Sequence, residues 1–207
     1  GDRAIFVDEH GKLVWGDVTG AIFASRMVRA GSRVITTINT SDSVGEVVKS
    51  AGGKLTVTKV GPPAIAESIR KHGDAIFATE ESGKFIWPRI LMYGDAIYST
   101  LMLLSFNEPL SELAKMVPFF YLIKREVRCQ DEITQKIMEK VSIAFSGYRI
   151  NKLDGIKIRM GKHRWLLIRP SGTEPVFRVF AQSAQRKDAE ALASEGVRII
   201  QDSKSSI

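Results

Sequence analysis

Seven consecutive residues, Arg169-Pro170-Ser171-Gly172-Thr173-Glu174-Pro175, followed three positions later by Arg178, hold the densest chemistry in the chain. Two prolines, a glycine and two hydroxyls are turn chemistry, and the turn falls between the strand-like runs 165–168 and 176–181. Gly172 can take positive φ and let the backbone approach a ligand closely. Ser171 and Thr173 offer hydroxyl donors, and the N–H groups of Gly172 and Thr173 could point into one concavity of the kind that suits anions. Arg169 and Arg178 would flank it with planar forks that match phosphate or carboxylate oxygens. On these residues alone two readings stand: a phosphate clamp, or a proline-pinned turn whose arginines face water.

A second cluster, Thr79-Glu80-Glu81-Ser82-Gly83-Lys84, follows a strand-like run and falls in a loop. Its carboxylates could accept hydrogen bonds from pairs of ring hydroxyls, and its lysine could meet a phosphate. The plainer alternative is a charged surface turn. Lys59, after another strand-like run, is equally a phosphate or sugar contact or an ordinary surface lysine. His10, His72 and His163 are scattered and expected in solvent, and no Ser-His-Asp arrangement or zinc-ligand spacing is present. Cys129 is the single cysteine, which forbids an internal disulfide, fits a reducing cytoplasm and reads as a structural strand-end residue.

A chain of 207 residues, 44% of them hydrophobic, accommodates two domains with real cores. Its net charge of +7 is unevenly placed. Residues 1–118 carry 13 basic and 13 acidic side chains, whereas residues 119–207 carry 17 and 10. A basic terminal part suggests an anionic partner, a phosphorylated small molecule or nucleic acid. Nucleic acid is not expected, because the basic residues are not interleaved with aromatics that could stack bases. No apolar run reaches membrane-spanning length and the first residues show no signal-peptide pattern.

The elements that must position these loops follow from periodicity. Residues 4–7 and 12–14 read as strands around the turn Asp8-Glu9-His10-Gly11. Helices are expected over 16–30, from a capping box at Ser43 and Glu46 to about 51, from Pro62 or Pro63 onward with Ile65 and Ile69 on its apolar face, over 95–106 with Ile97, Leu101 and Leu104 on one side, and over 110–116. Strands are expected over 33–38, 54–60 and 75–78. Beyond Pro118 come a strand at 120–128, a helix capped by Asp131 to about 144, strands at 155–160, 164–168 and 176–184, a helix over 187–200 and a frayed tail over 202–206. The pattern predicts an α/β three-layer domain followed by an α+β domain with a small, mainly antiparallel sheet.

The string RPSGTEP with its nearby arginine resembles the phosphate-binding loop in the last domain of the α-D-phosphohexomutases, the superfamily of phosphoglucomutases, phosphomannomutases and phosphoglucosamine mutases. Other fragments match in order. TEESGK is similar to that family's sugar loop, GEESGH in its commonest form, with Thr79 in place of glycine and Lys84 where histidine often stands. Thr58-Lys59-Val60-Gly61 is similar to its TKVG loop, continuing here with Pro62. Gly1-Asp2-Arg3 resembles the end of its magnesium loop, DGDxDR, and IFVDEHGKLVWGD over 5–17 continues in the family's manner.

The resemblance implies three segments: 1–14 as the tail of the metal-loop domain, 15–118 as the sugar-binding α/β domain, and 119–207 as the phosphate-binding C-terminal domain. It implies that Arg169, Ser171, Gly172, Thr173 and Arg178 hold a substrate phosphate. Glu80 and Ser82, with Lys59 and Lys84, would meet the sugar, and Arg3 would serve catalysis. Asp2 would be one carboxylate of a magnesium site. The implied reaction moves a phosphoryl group between the 1- and 6-positions of a hexose phosphate through a phosphoserine and a hexose 1,6-bisphosphate. The serine and two metal carboxylates have no counterpart here, so the chain is expected to be inactive alone and not to retain the metal. The missing N-terminal domains are expected in the same or a partner chain, and a truncated cytoplasmic mutase is the simplest source. The rival is a non-catalytic phosphosugar-binding module or split-enzyme subunit.

Overall fold

In the computed structural model, which describes residues 1–129 and 131–205, the chain divides into two units, Gly1–Phe119 and Phe120–Ile207. The first opens with a hairpin, β1 (Phe6–Val7) and β2 (Leu13–Val14). Asp8 closes its turn by accepting the N–H groups of His10 and Lys12. Then follow α1 (Gly16–Met27), β3 (Arg33–Thr37), α2 (Asp42–Ser50), β4 (Lys54–Thr58), α3 (Pro62–His72) and β5 (Ala75–Thr79). Next are β6 (Phe85–Trp87), β7 (Leu91–Gly94), α4 (Ala96–Leu104) and α5 (Leu110–Lys115).

The sheet runs β4-β3-β5-β6-β7, parallel among its first three strands and antiparallel in the rest. Strand alternation divides the side chains between two faces. Val34, Phe77 and Phe85 pack with α1 and α2, while their sequence neighbours Ile35, Ala78 and Ile86 pack with Ile65 and Ile69 of α3. This is the three-layer α/β domain that the strand–helix alternation implies. At the centre of the first face Phe23 is fully buried, and its ring meets those of Phe77, Phe85, Trp87 and Phe106 edge-on at 5.1–6.0 Å.

The second unit comprises β8 (Tyr121–Arg128), a 3-10 turn at Asp131–Ile133, α6 (Thr134–Ala144), β9 (Arg149–Asn151), β10 (Ile156–Arg159), β11 (Trp165–Pro170), β12 (Val176–Ser183) and α7 (Arg186–Ser205). Its sheet, β8-β12-β11-β10-β9, is antiparallel throughout. Ile156, Ile158, Leu166, Ile168, Phe177 and Val179 form one core with Ile137 and Val141 of α6 and Leu192 and Ile200 of α7. Arg169 and Arg178, offset by one position from those core residues, project from the sheet's other face.

Several expectations are corrected. The N-cap of α2 is Ser41, whose hydroxyl accepts the Ser43 N–H; Ser43 already lies inside the first turn. Strands β6 and β7 carry no apolar–polar alternation and β9 is only three residues long, so the sequence does not reveal them. In α4 Ile97, Leu101 and Leu104 share one side as expected, but that side faces outward: they are 76%, 60% and 69% exposed, while Ser99 and Leu103 are buried. This helix is apolar nearly all round, so periodicity cannot choose a face. Trp87 fixes the orientation by donating its indole N–H to Ser99 Oγ at 2.9 Å. Helix α7 continues through Ser205 where a frayed tail was expected, Ser206 being outside the described residues, as is the Asp131 side chain expected to cap the helix that follows it. His163 is half-buried and stacks on Phe120 at 4.3 Å rather than standing in solvent.

The difference between the two apolar positions is measurable. Phe23→Ala should cost about 3–5 kcal/mol, whereas Leu104→Ala should change stability by less than about 0.5 kcal/mol. Urea denaturation followed by tryptophan fluorescence checks both; equal losses would contradict the orientation of α4.

Candidate functional site

In the first unit the loop after β5 is shaped by backbone crowding. Gly83 has φ +82°, and a Cβ there would lie 2.5 Å from the carbonyl oxygen of Ala4. Ala4 in turn donates its N–H to Gly83 O at 2.9 Å. A Cβ on Gly16 would meet the Gly83 backbone nitrogen at 2.3 Å, and one on Gly94 would meet Asp2 O at the same distance. The N-terminal segment, the start of α1, the end of β7 and the 79–84 loop therefore converge where only glycine leaves room.

Within this loop Glu80 is buried, and its Oε1 accepts the Gly61 N–H at 2.9 Å. That bond joins the Lys59–Gly61 turn to the 79–84 loop. Burial pushes the Glu80 carboxyl above its ordinary pKa, opposed by the Gly61 hydrogen bond and by the charges of Lys84 and Arg3. Arg3 itself is exposed. Glu81 is buried and accepts from Asn39 Nδ2 at 3.2 Å. Ser82 is half-buried and Lys59 exposed. Thr79, which departs from the resembled glycine, is fully buried and sits over Gly20, where a Cβ would come within 2.6 Å of its hydroxyl.

Lys84 behaves unlike a free binding lysine. Its side chain is 5% exposed, its Nζ lies 2.9 Å from Asp2 Oδ2 and 4.7 Å from the centre of the Tyr93 ring. The ammonium and its hydrogen bond hold the Asp2 carboxyl below its ordinary pKa. Magnesium needs several oxygens in near-octahedral order. Here the one carboxylate assigned to it is already paired with a lysine. Among the described residues no three His, Cys, Asp or Glu side chains gather to hold a metal. The residues of this chain do not by themselves fit a magnesium site.

In the second unit the turn between β11 and β12 carries the other cluster. Antiparallel register sets Arg169 directly opposite Arg178. Arg169 is 9% exposed; its Nη2 lies 3.2 Å from Asp154 Oδ2, and its buried Nε has no hydrogen-bond partner. Gly155, at φ +81°, makes this fit possible, since a Cβ there would come within 2.5 Å of Arg169 Cβ. Arg178 is more open. Its Nε meets Glu126 Oε1 at 3.1 Å, and its Nη2 pairs with Glu174 Oε2.

The turn is closed by Ser171 N–H to Val176 O and Val176 N–H to Glu174 O, both 2.8 Å. Thr173 turns its N–H toward Ser171 Oγ at 3.4 Å, so that donor does not open into a shared anion concavity as expected. Nor does Gly172 use positive φ; its surroundings are simply open, with nothing within 4 Å of a Cβ built there. The chain thus joins Arg169, Ser171, Gly172, Thr173 and Arg178 at one turn, and Glu80, Ser82 and Lys59 at another. Asp154, Glu126 and Glu174 escaped the sequence reading. Glu174, four residues before Arg178, is the only one whose partner spacing could have suggested it.

The glycine-crowded carboxylate loop lies on the three-layer unit and the arginine-flanked hydroxyl turn on the antiparallel unit, and both units match domains of one family. The phosphoglucomutase/phosphomannomutase alpha/beta/alpha domain III matches residues 15–119, and the C-terminal domain of the same family matches 124–199. The chain belongs to the phosphoglucomutase/phosphomannomutase family. It is 31% identical over 207 residues to a probable phosphoglucosamine mutase of Pyrococcus horikoshii, covering 96% of this chain and 46% of that protein. A phosphopentomutase of Thermococcus kodakarensis is 33% identical over 199 residues, covering 92% of this chain and 44% of that one. Among solved structures, a phosphoglucomutase/phosphomannomutase family protein from Burkholderia thailandensis superimposes with a TM-score of 0.84 at 21% identity, covering 99% of this chain and 45% of its own. The chain spans about half the length of the curated relatives it matches.

The buried Glu80 gives a signed pH prediction. A carboxyl whose folded pKa is raised binds more protons folded than unfolded, so stability falls as pH rises from the ordinary value of 4.5 through the raised one. Glu80→Gln keeps an oxygen to accept from Gly61 and removes the ionisation. It should melt higher than the parent at pH 7, with the difference vanishing toward pH 4 in thermal melts. A parent equally stable relative to the variant at both pH values would contradict the raised pKa.

Proposed function

We propose that this chain is the substrate-holding part of a phosphohexomutase that interconverts hexose 1-phosphates and 6-phosphates. The observation that carries the reading is the placement of Arg169 and Arg178 side by side at the open Ser171-Gly172-Thr173 turn, in a chain of this family. Two adjacent guanidinium groups with two hydroxyls match the oxygens of a phosphate monoester in charge and geometry. In this reading they hold whichever sugar phosphate is not reacting.

Glu80 and Ser82 accept and donate to sugar hydroxyls, with Lys59 at the edge of the same loop. Glu80 suits that role because its carboxylate is anchored through one oxygen to Gly61. Lys84, committed to Asp2, acts on the sugar indirectly by fixing the loop. Arg3, whose charge reaches Glu80, stands beside the transferring phosphoryl group, where positive charge favours the transition state.

The complete reaction uses a phosphoserine outside this chain. Its P–O bond breaks as a sugar hydroxyl takes the phosphoryl group, giving a hexose 1,6-bisphosphate, and the reoriented sugar returns its other phosphate to the serine. Positioning supplies much of phosphoryl-transfer catalysis, but positioning alone moves no phosphoryl group. Relatives named for glucosamine and pentose phosphates support a phosphosugar substrate while differing in the sugar.

The purified chain is expected to bind a hexose 6-phosphate saturably and to leave it unconverted in a phosphorus NMR time course. Arg178→Gln should weaken binding by about tenfold or more, the loss of a charge-assisted hydrogen-bonding group. Turnover by the chain alone would contradict its holding role. Binding indifferent to Arg178 but collapsing steeply with salt on an oligonucleotide would point to nucleic acid instead.

A further inference from the structure

Resting on the phosphate-holding role of the 169–178 turn, we propose that Glu174 and Glu126 are resident counter-anions of Arg178, which a phosphate monoester must displace on entry, while Asp154 is a permanent anchor for Arg169. The geometry starts from the strand register. Arg169 on β11, Arg178 on β12 and Glu126 on β8 form one cross-strand row on the same face of the sheet. Like charges directly opposite each other destabilise a sheet pair. The two guanidinium groups are compensated by three carboxylates, one on Arg169 and two on Arg178.

The two compensations differ in kind. The Arg169–Asp154 pair is enclosed, with side-chain exposures of 10% and 18%, and its geometry is fixed by the close approach of Gly155. Breaking a buried pair leaves an uncompensated charge, so this pair stays. It also leaves one Arg169 donor, the buried Nε, without a partner. Arg178 has side-chain exposure of 32%, and its partners Glu126 and Glu174 are 62% and 56% exposed. Exposed pairs of this kind are weak, so their carboxylates can exchange for a better anion.

Glu174 sits inside the turn itself, one residue after Thr173, and closes it through its own carbonyl to Val176 N–H. Its carboxylate therefore occupies the Arg178 fork that a ligand phosphate would use. With both glutamates in place the cluster holds three negative groups against two positive ones, which disfavours a further anion. Turning one glutamate outward leaves the cluster balanced, and turning both outward leaves Asp154 against two guanidinium groups, an electropositive site. On this account Glu174 and Glu126 lower the affinity for any phosphate and keep the clamp closed to weak anions, so that occupancy requires the additional contacts of a whole phosphosugar.

The test is a phosphorus NMR titration of the full 207-residue chain with inorganic phosphate at fixed ionic strength, comparing the parent with Glu174→Gln, Glu126→Gln and Glu190→Gln. Glu190, paired with Arg186 on α7, controls for the same change in net charge elsewhere. Glu174→Gln and Glu126→Gln are expected to bind phosphate about two- to fivefold more tightly, the effect of removing a weak competing ion pair, and Glu190→Gln to match the parent. Parent-like affinity in the first two variants, or equal tightening in all three, would overturn the counter-anion role while leaving the phosphate-holding turn intact. Absence of phosphate binding by the parent and every variant would overturn both.

Discussion

The antiparallel register of β11 and β12 places two guanidinium groups opposite each other, and most of what is distinctive in the second unit answers that constraint. A sheet does not leave like charges facing one another without compensation. Asp154 reaches Arg169 from the turn before β10, and Glu126 reaches Arg178 from β8. Gly155 provides the clearance that lets the first of these turns lie against the Arg169 stem. The six-residue and eight-residue strands that impose this register are anchored on the opposite face by the core shared with α6 and α7. Rigid packing on one face thus fixes two guanidinium groups side by side on the other, each with its carboxylate partners.

The first unit meets a different constraint, the crowding of four backbone segments around Gly83. Each of Gly16, Gly83 and Gly94 sits where a side chain would collide with a neighbouring main chain. The result is a loop held from several sides, in which Glu80 can remain buried and still be presented with a fixed orientation. The ionisation cost at Glu80 is set by that burial. Lys84 and Asp2 add a charged fastening between the loop and the N-terminal segment. Asp2 is thereby held as the ion-pair partner of Lys84.

Much of this arrangement was legible in the sequence, for physical reasons. Alternating strands such as Ile156-Lys157-Ile158-Arg159 and the helix entered at Pro62 declare themselves through periodicity and proline chemistry. The two loops declare themselves through motif strings. What stayed hidden was set by tertiary contacts. Helix α4 has no polar face to orient it, and a single indole–hydroxyl bond decides which apolar residues are covered. Strands β6, Phe85-Ile86-Trp87, and β7, Leu91-Met92-Tyr93-Gly94, carry no alternation of apolar and polar residues to reveal them. Asp154 and Glu126 are far from their arginines in sequence, so nothing local announces their pairing. Lys84 looked like a ligand because charged loop residues usually face solvent, yet its stem and ammonium are enclosed by Tyr93 and Asp2.

In the proposed holding role each loop meets its own part of a phosphosugar, the 169–178 turn the phosphate and the 79–84 loop the ring hydroxyls. Backbone amide NMR of the labelled chain, titrated with a hexose 6-phosphate and separately with inorganic phosphate, tests it most directly. Inorganic phosphate is expected to shift the amides of Ser171, Gly172 and Thr173 alone, and the sugar phosphate to shift these and also Gly61, Glu80 and Ser82. Shifts from the sugar phosphate that spare the 79–84 loop, or that fall on the basic surface away from both loops, would contradict the holding role.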